Sequence, residues 1–246
     1  MNIFAIADLH LALGVPKKRM GDKWQVWLNH EQKLYDNFHR VVGPDDLVLI
    51  PGDISWAMTL EEAKPDFEFL NQLPGKKVLL KGNHDYWWPS DKKLTEFLDP
   101  SITFINKNAL KIFDVSIGGA RLWDNNEINS ESIIDFVPGT KPEIKPLTEL
   151  DNKTFATECE RLESSLEKMP EGKLRIALTH YPPIEPTMAG SRFSNMFERY
   201  EIQHVLFGHI HNAKKNPLYG IKNKVHYHLV AADYLDFCPK HIAFLP

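Results

Sequence analysis

Cysteine is scarce in this 246-residue sequence: there are two, Cys159 and Cys238, and neither sits in a C-x-x-C pair. That argues against a disulfide framework and against a thiolate metal site. Long apolar runs are also missing, and no window approaches the roughly 18 residues of a membrane span. The opening run Ile3-Phe4-Ala5-Ile6-Ala7 is short and has no basic stretch before it. It does not read as a secretory signal, so the expectation is a cytoplasmic protein without a transmembrane segment. A surplus of one charge is lacking too. The 29 Lys and Arg against 33 Asp and Glu leave a net charge of −4, whereas a dedicated nucleic-acid binder usually carries a basic excess. There is no internal repeat and no low-complexity tract, and nothing sets an oligomeric state.

What the sequence has is a series of short apolar runs, each ending in polar residues. Ile3–Ala7 leads into Asp8, Leu47–Ile50 into Pro51-Gly52-Asp53, and Val78–Leu80 into Lys81-Gly82-Asn83-His84-Asp85. Leu174–Leu178 leads into Thr179-His180, and His204–Phe207 into Gly208-His209-Ile210-His211. Such runs read as buried strands that deliver their last residues to loops. Between them, apolar residues recur at helical spacing. Leu34, Phe38 and Val41 do so within 31–41; Ala63, Phe67, Leu70 and Leu73 within 60–73; Phe155, Cys159, Leu162, Leu166 and Met169 within 152–169. Alternating strands and helices indicate βαβ units around a sheet, with the strand ends sharing one edge, where sites form. Two segments break the rhythm: 123–150, rich in Asn, Pro and Gly, and 181–195, which begins Tyr181-Pro182-Pro183. Long irregular stretches of this kind are expected to be lid-like loops. Residues 1–246 are then one domain.

The polar residues at the five strand ends are Asp8 and His10, Asp53, Asn83 with His84 and Asp85, His180, and His209 with His211. Carboxylate, amide and imidazole donors without a thiolate suit manganese, iron, zinc or similar divalent ions. Asp8 and His10, two apart on an extended piece, would project from one side toward one ion.

These blocks resemble the calcineurin-like metallophosphoesterases, whose pattern is D-x-H, G-D, G-N-H-D/E, a lone His, and G-H-x-H. All five stand in order between positions 8 and 211. The resemblance implies an α/β (α+β) fold, a four-layer sandwich of two packed mixed β-sheets flanked by helices. It implies two divalent ions, one held by Asp8, His10, Asp53 and His211 and the other by Asp53, Asn83, His180 and His209. The implied activity is hydrolysis of a small phosphorylated substrate or nucleotide, a mono- or diester, by an ion-activated water. His84 would be the general acid and Asp85 would orient its ring or pin the loop. Two subgroups fit less well. Gly52-Asp53-Ile54-Ser55-Trp56 lacks the G-D-x-V-D-R-G of the Ser/Thr protein phosphatases, and His84 stands where the bacterial UDP-diacylglucosamine hydrolases have Arg. A nuclease or a non-catalytic scaffold of the same fold are the alternatives.

Other residues are weaker candidates. Trp87, within Tyr86-Trp87-Trp88, would stack on a substrate or pack the loop. Arg192 in a Gly-Ser-Arg turn would clamp a phosphate or stand solvated. Lys17-Lys18-Arg19 is a basic cluster, usually a solvated face. His226 and His228 alternate around Tyr227 on an expected strand and would face the site or serve as ordinary surface or core residues.

Overall fold

Strands form where an apolar run can bury both of its faces, and the two sheets of this protein show that rule. A computed structural model describes residues 1–125, 127–136, 146–216 and 218–246. The first sheet has β1 (Asn2–Ala5), β2 (Leu47–Pro51), β3 (Lys76–Leu80) and β4 (Ile102–Ile105) running parallel. The second holds β5 (Leu110–Ile112), β6 (Val115–Gly119), β7 (Leu174–Leu178), β8 (His204–Phe207), β9 (Ile221–Lys222) and β10 (Val225–Leu229), in the order β5-β6-β7-β8-β10-β9. In it β6, β7, β8 and β10 are parallel, while β5 and β9 run antiparallel at the edges. A final strand, β11 (Lys240–Phe244), returns antiparallel beside β1.

Parallel neighbours need crossovers, and helices supply them. These are α1 (His30–Val41), α2 (Leu60–Gln72) and α3 (Asp91–Phe97) on the first sheet, with α4 (Glu149–Glu167) and α5 (Arg192–Arg199) on the second. Capping boxes fix where three of them start: Thr59 with Glu62 for α2, Thr148 with Asp151 for α4, and Ser191 with Ser194 for α5. The Thr148 cap begins α4 three residues before the helix expected at 152.

Residues alternate along each strand between two cores. On β1 and β2, Ile3, Ala5, Leu47 and Leu49 meet Ile176, Leu178 and Leu206 of the second sheet. Phe4, Val48 and Ile50 point outward and pack with Leu34 and Phe38 of α1 and Phe67 and Leu70 of α2. Val205, Phe207 and Ala177 do the same against Leu162 and Leu166 of α4 and Phe193 and Phe197 of α5. Each fully buried Val, Leu, Ile or Phe among them stabilises the fold by about 1.5–3 kcal/mol. The result is helix, sheet, sheet, helix: the expected four layers.

Two expectations need correction. The five site-bearing strand ends do not share one sheet; β1, β2 and β3 belong to the first and β7 and β8 to the second. They meet because the chain leaving β1 crosses over, with Ala7 N–H donating to Val230 O and Ala232 N–H to Ala7 O. The segment 181–195 is not irregular throughout. Ser191 caps α5 by accepting from Ser194 N–H, so residues 192–195 are its first turn. Of the segment 123–150, positions 126 and 137–145 lie outside the described residues.

Candidate metal centre

The first three blocks leave the carboxyl ends of neighbouring strands, and backbone bonds lock them to one another. Asp8 N–H donates to Gly52 O at 2.9 Å and His10 N–H to Asp53 O at 3.0 Å. Asp8, His10, Asp53 and His209 all have left-handed backbones, with φ of 57°, 45°, 53° and 70°. A non-glycine residue held there costs on the order of 1–3 kcal/mol and persists only where the surroundings impose it. Asp8 and His10 therefore do not lie on an extended piece, as their spacing suggested; the turned backbone aims them inward. The motif glycines answer a packing need. A Cβ on Gly82 would stand 2.1 Å from Asp53 Oδ1, and one on Gly208 2.2 Å from Asp8 Oδ2.

The side chains converge. His10 Nε2 faces His211 Nε2 at 3.1 Å. Asp53 Oδ2 lies 3.6 Å from His10 Nε2 and 3.4 Å from His180 Nε2. Asn83 Oδ1 receives both His180 Nε2 at 2.7 Å and His209 Nδ1 at 3.1 Å. The Asp8 carboxylate accepts the His209 backbone N–H. Two groups, Asp8 with His10 and His211, and Asp8 with Asp53 and His180, bring ligand atoms within 4.8 Å of one another.

Asp8, His10, Asp53 and His180 are at most 1% exposed, so water cannot screen them. Burial raises the Asp8 carboxyl and lowers the His10 and His209 rings. Burial also opposes the charge on Asp53, yet the His180 imidazolium holds that carboxyl well below its usual range. The donor set fits a cation: two imidazole Nε2 atoms facing each other beside a buried carboxylate need a proton or a metal between them.

Around this cluster the structure distinguishes the alternatives left open for several residues. Asp85 does not touch the His84 ring. Its Oδ1 accepts Ile54 N–H, Ser55 N–H and Trp87 Nε1–H, and its Oδ2 accepts Gly82 N–H, so it pins the loop. Trp87 is 2% exposed and packs on Phe67, 5.0 Å between ring centres, which leaves no face for a substrate. Arg192 is paired with Glu127 through Nε at 3.0 Å and lies over the Phe155 ring, so it joins the two irregular segments instead of standing free. Lys18 of the basic cluster donates to Trp56 O at 3.0 Å. His226 and His228 do not join the cluster. They gather with His204 elsewhere on the second sheet.

His84 donates its backbone N–H to Asp53 Oδ1 at 2.8 Å, and its ring centre lies 4.4 Å from that of Trp56, which itself stacks on His10 at 4.8 Å. Sequence reading missed Asp233. It is 3% exposed and contacts His211 Nδ1 at 3.1 Å. The signal was present, since Val230-Ala231-Ala232-Asp233 repeats the pattern of an apolar run ending in a carboxylate.

The double sheet brings buried carboxylates and imidazoles together at its strand ends, a donor set able to hold divalent ions. The profile of the calcineurin-like phosphoesterase family matches residues 1–213, and the chain belongs to that family. It is accordingly a metal-dependent phosphoesterase acting on phosphorylated substrates. No curated protein matches it. Among solved structures the chain is similar to a phosphopantetheinyl hydrolase from Mycobacterium tuberculosis, with 15% identity, TM-score 0.57, and coverage of 100% of this chain and 96% of that one. A protein of unknown function from Aquifex aeolicus matches at 14% identity and TM-score 0.48, covering 98% and 95% of the two chains. A putative 5'-nucleotidase from Staphylococcus aureus matches at 14% and 0.47, covering 92% of this chain and 48% of that one. No helix among the described residues is long and apolar enough to cross a membrane.

Proposed function

We propose that the chain hydrolyses a small phosphorylated substrate, a phosphomonoester, phosphodiester or nucleotide, with two divalent ions such as manganese, iron or zinc. Asp8, His10, Asp53 and His211 would hold one ion, and Asp53, Asn83, His180 and His209 the other. The observation that carries this reading is the position of Asp53 Oδ2, between His10 Nε2 at 3.6 Å and His180 Nε2 at 3.4 Å. One carboxylate between two ligand sets suits a bridge.

When bound, such ions bring the pKa of water from about 15.7 to near 7 and offset charge on the phosphoryl oxygens. The chain's own residues do the rest. Asp53 Oδ1 anchors the His84 backbone, so the general acid is tied to the same carboxylate that bridges the ligand sets. Trp56 backs both the His84 and His10 rings and keeps water from that side. His84 then delivers a proton to the departing oxygen.

The described parts of segments 123–150 and 181–195 are proposed to border the pocket and set substrate choice. In support, Asp135 N–H donates to Asn212 O beside His211, and the Tyr181 ring centre is 4.0 Å from that of His209. The whole of 1–246 is proposed to be one domain: residues after the family match supply β9, β10 and β11, which complete both sheets. A panel of aryl phosphates, diesters and nucleotides, assayed with metal-stripped and reconstituted protein, tests the function. Hydrolysis that needs added metal is expected; its absence across the panel at saturating manganese and zinc overturns the reading.

A further inference from the structure

A second group of imidazoles lies away from the phosphoesterase centre. His204 opens β8, and His226 and His228 sit on β10, the neighbouring parallel strand. His226 pairs in register with His204. Tyr227, between the two β10 histidines, turns to the opposite face and is 2% exposed within the core under α5. Strand alternation therefore sets all three histidine rings on one face. His209 of the phosphoesterase centre is five positions beyond His204, past the other end of the strand. A rise of about 3.3 Å per residue puts Phe207, at the far end of β8, roughly 10 Å from His204, and His209 lies beyond it.

Each of the three rings offers a nitrogen within 4.8 Å of the others, and His204 Nδ1 lies 3.1 Å from His228 Nε2. Two imidazole nitrogens at about 2.0–2.1 Å from a tetrahedral zinc stand roughly 3.3 Å apart. The pair is therefore spaced as ligands would be. His226 makes no ring hydrogen bond among the described residues, and its ring centre is 5.0 Å from that of His204. Rotation about χ2, a broad torsion for histidine, turns the nitrogens toward a common point. We propose that His204, His226 and His228 form a further metal site, for zinc or another ion that favours imidazole, with an open fourth position.

Chemistry on the page supports that assignment. Burial brings the His204 ring down to about 4 and the His228 ring to about 3, so both are neutral near pH 7 and have a lone pair to give. The charged group that acts on His228 is Lys240 of β11, and burial lowers the pKa of that ammonium as well. No carboxylate belongs to the group, which sets it apart from the donor set around Asp53 and favours borderline ions over magnesium or calcium.

The test uses the full-length protein, stripped with chelator and titrated with Zn²⁺, with bound metal counted by elemental analysis. Wild type should take up one equivalent more than His226→Gln or His228→Gln, while all three keep the same metal-dependent phosphatase rate. That rate serves as the control for folding, because neither residue touches the other centre. Equal stoichiometry and equal affinity in wild type and both variants would overturn the proposal. Zinc-soaked crystals of the wild type give an independent reading. An anomalous peak among the three rings supports the site, and none there beside an occupied centre at Asp53 refutes it.

Discussion

His211, half-buried, and the buried Asp233 form a pair, Nδ1 to Oδ1 at 3.1 Å, and the second Asp233 oxygen takes the Asn212 N–H at 2.8 Å. Burial alone would lower the His211 ring, but the hydrogen bond and charge of Asp233 carry it up to about 9. The pair keeps the Nδ1 proton in place and leaves Nε2 to face His10. Removing such an outer partner typically costs 10–100-fold in metal affinity. Asp233→Asn should therefore shift the metal titration of activity to higher concentration by about that factor, with the rate at saturating metal largely restored. An unchanged titration curve would refute the orienting role.

Asp53→Asn should remove turnover and weaken metal uptake together. The change keeps the shape and an oxygen for the His84 N–H, but takes the anion from between two ligand sets. Unit charges about 4 Å apart interact by about 4 kcal/mol at an effective dielectric of 20, and dications by more, so the bridging charge is costly to lose. Near wild-type hydrolysis after stripping and reconstitution would sink the bridging proposal.

Asp85→Ala should act on stability before chemistry. It leaves three backbone N–H groups and the Trp87 indole N–H without their acceptor, and each buried orphan costs about 1–3 kcal/mol. A loss of more than about 3 kcal/mol in chemical denaturation is expected, and a rate loss that is uniform across substrates. A stable variant whose defect grows with leaving-group pKa would return Asp85 to the role of orienting His84.

For His84→Asn the expectation is the reverse: metals stay bound, and the defect depends on the leaving group. A nitrophenolate departs with little help, so its ester should lose little. An alkyl phosphate or ribose ester should lose the ~10²–10⁴-fold of a general acid. Equal losses along the series would assign His84 to phosphate positioning, and lost metal would make it a ligand.

The strands that carry the blocks and the helices α1, α2 and α4 were legible in the sequence because each has a period or an uninterrupted apolar run. β7 and β8 fall at the expected residues, and α1 begins one residue before the expected start. The eight-residue α5 and the two-residue β9 were not legible, since about two turns or a pair of residues carry too little of a period to read. The five blocks named the candidate ligands through their resemblance to the calcineurin-like pattern, each block standing directly after an apolar run. The sequence could not say what each polar atom touches. Only the folded chain commits Asp85 to four N–H donors, buries Trp87 under Phe67, pairs Arg192 with Glu127 and sets Asp233 behind His211. Those outcomes depend on contacts between residues far apart in the chain, Asp233 with His211 and Asp53 with His180 among them. Local pattern encodes which element forms; packing of the two sheets decides which side chains meet.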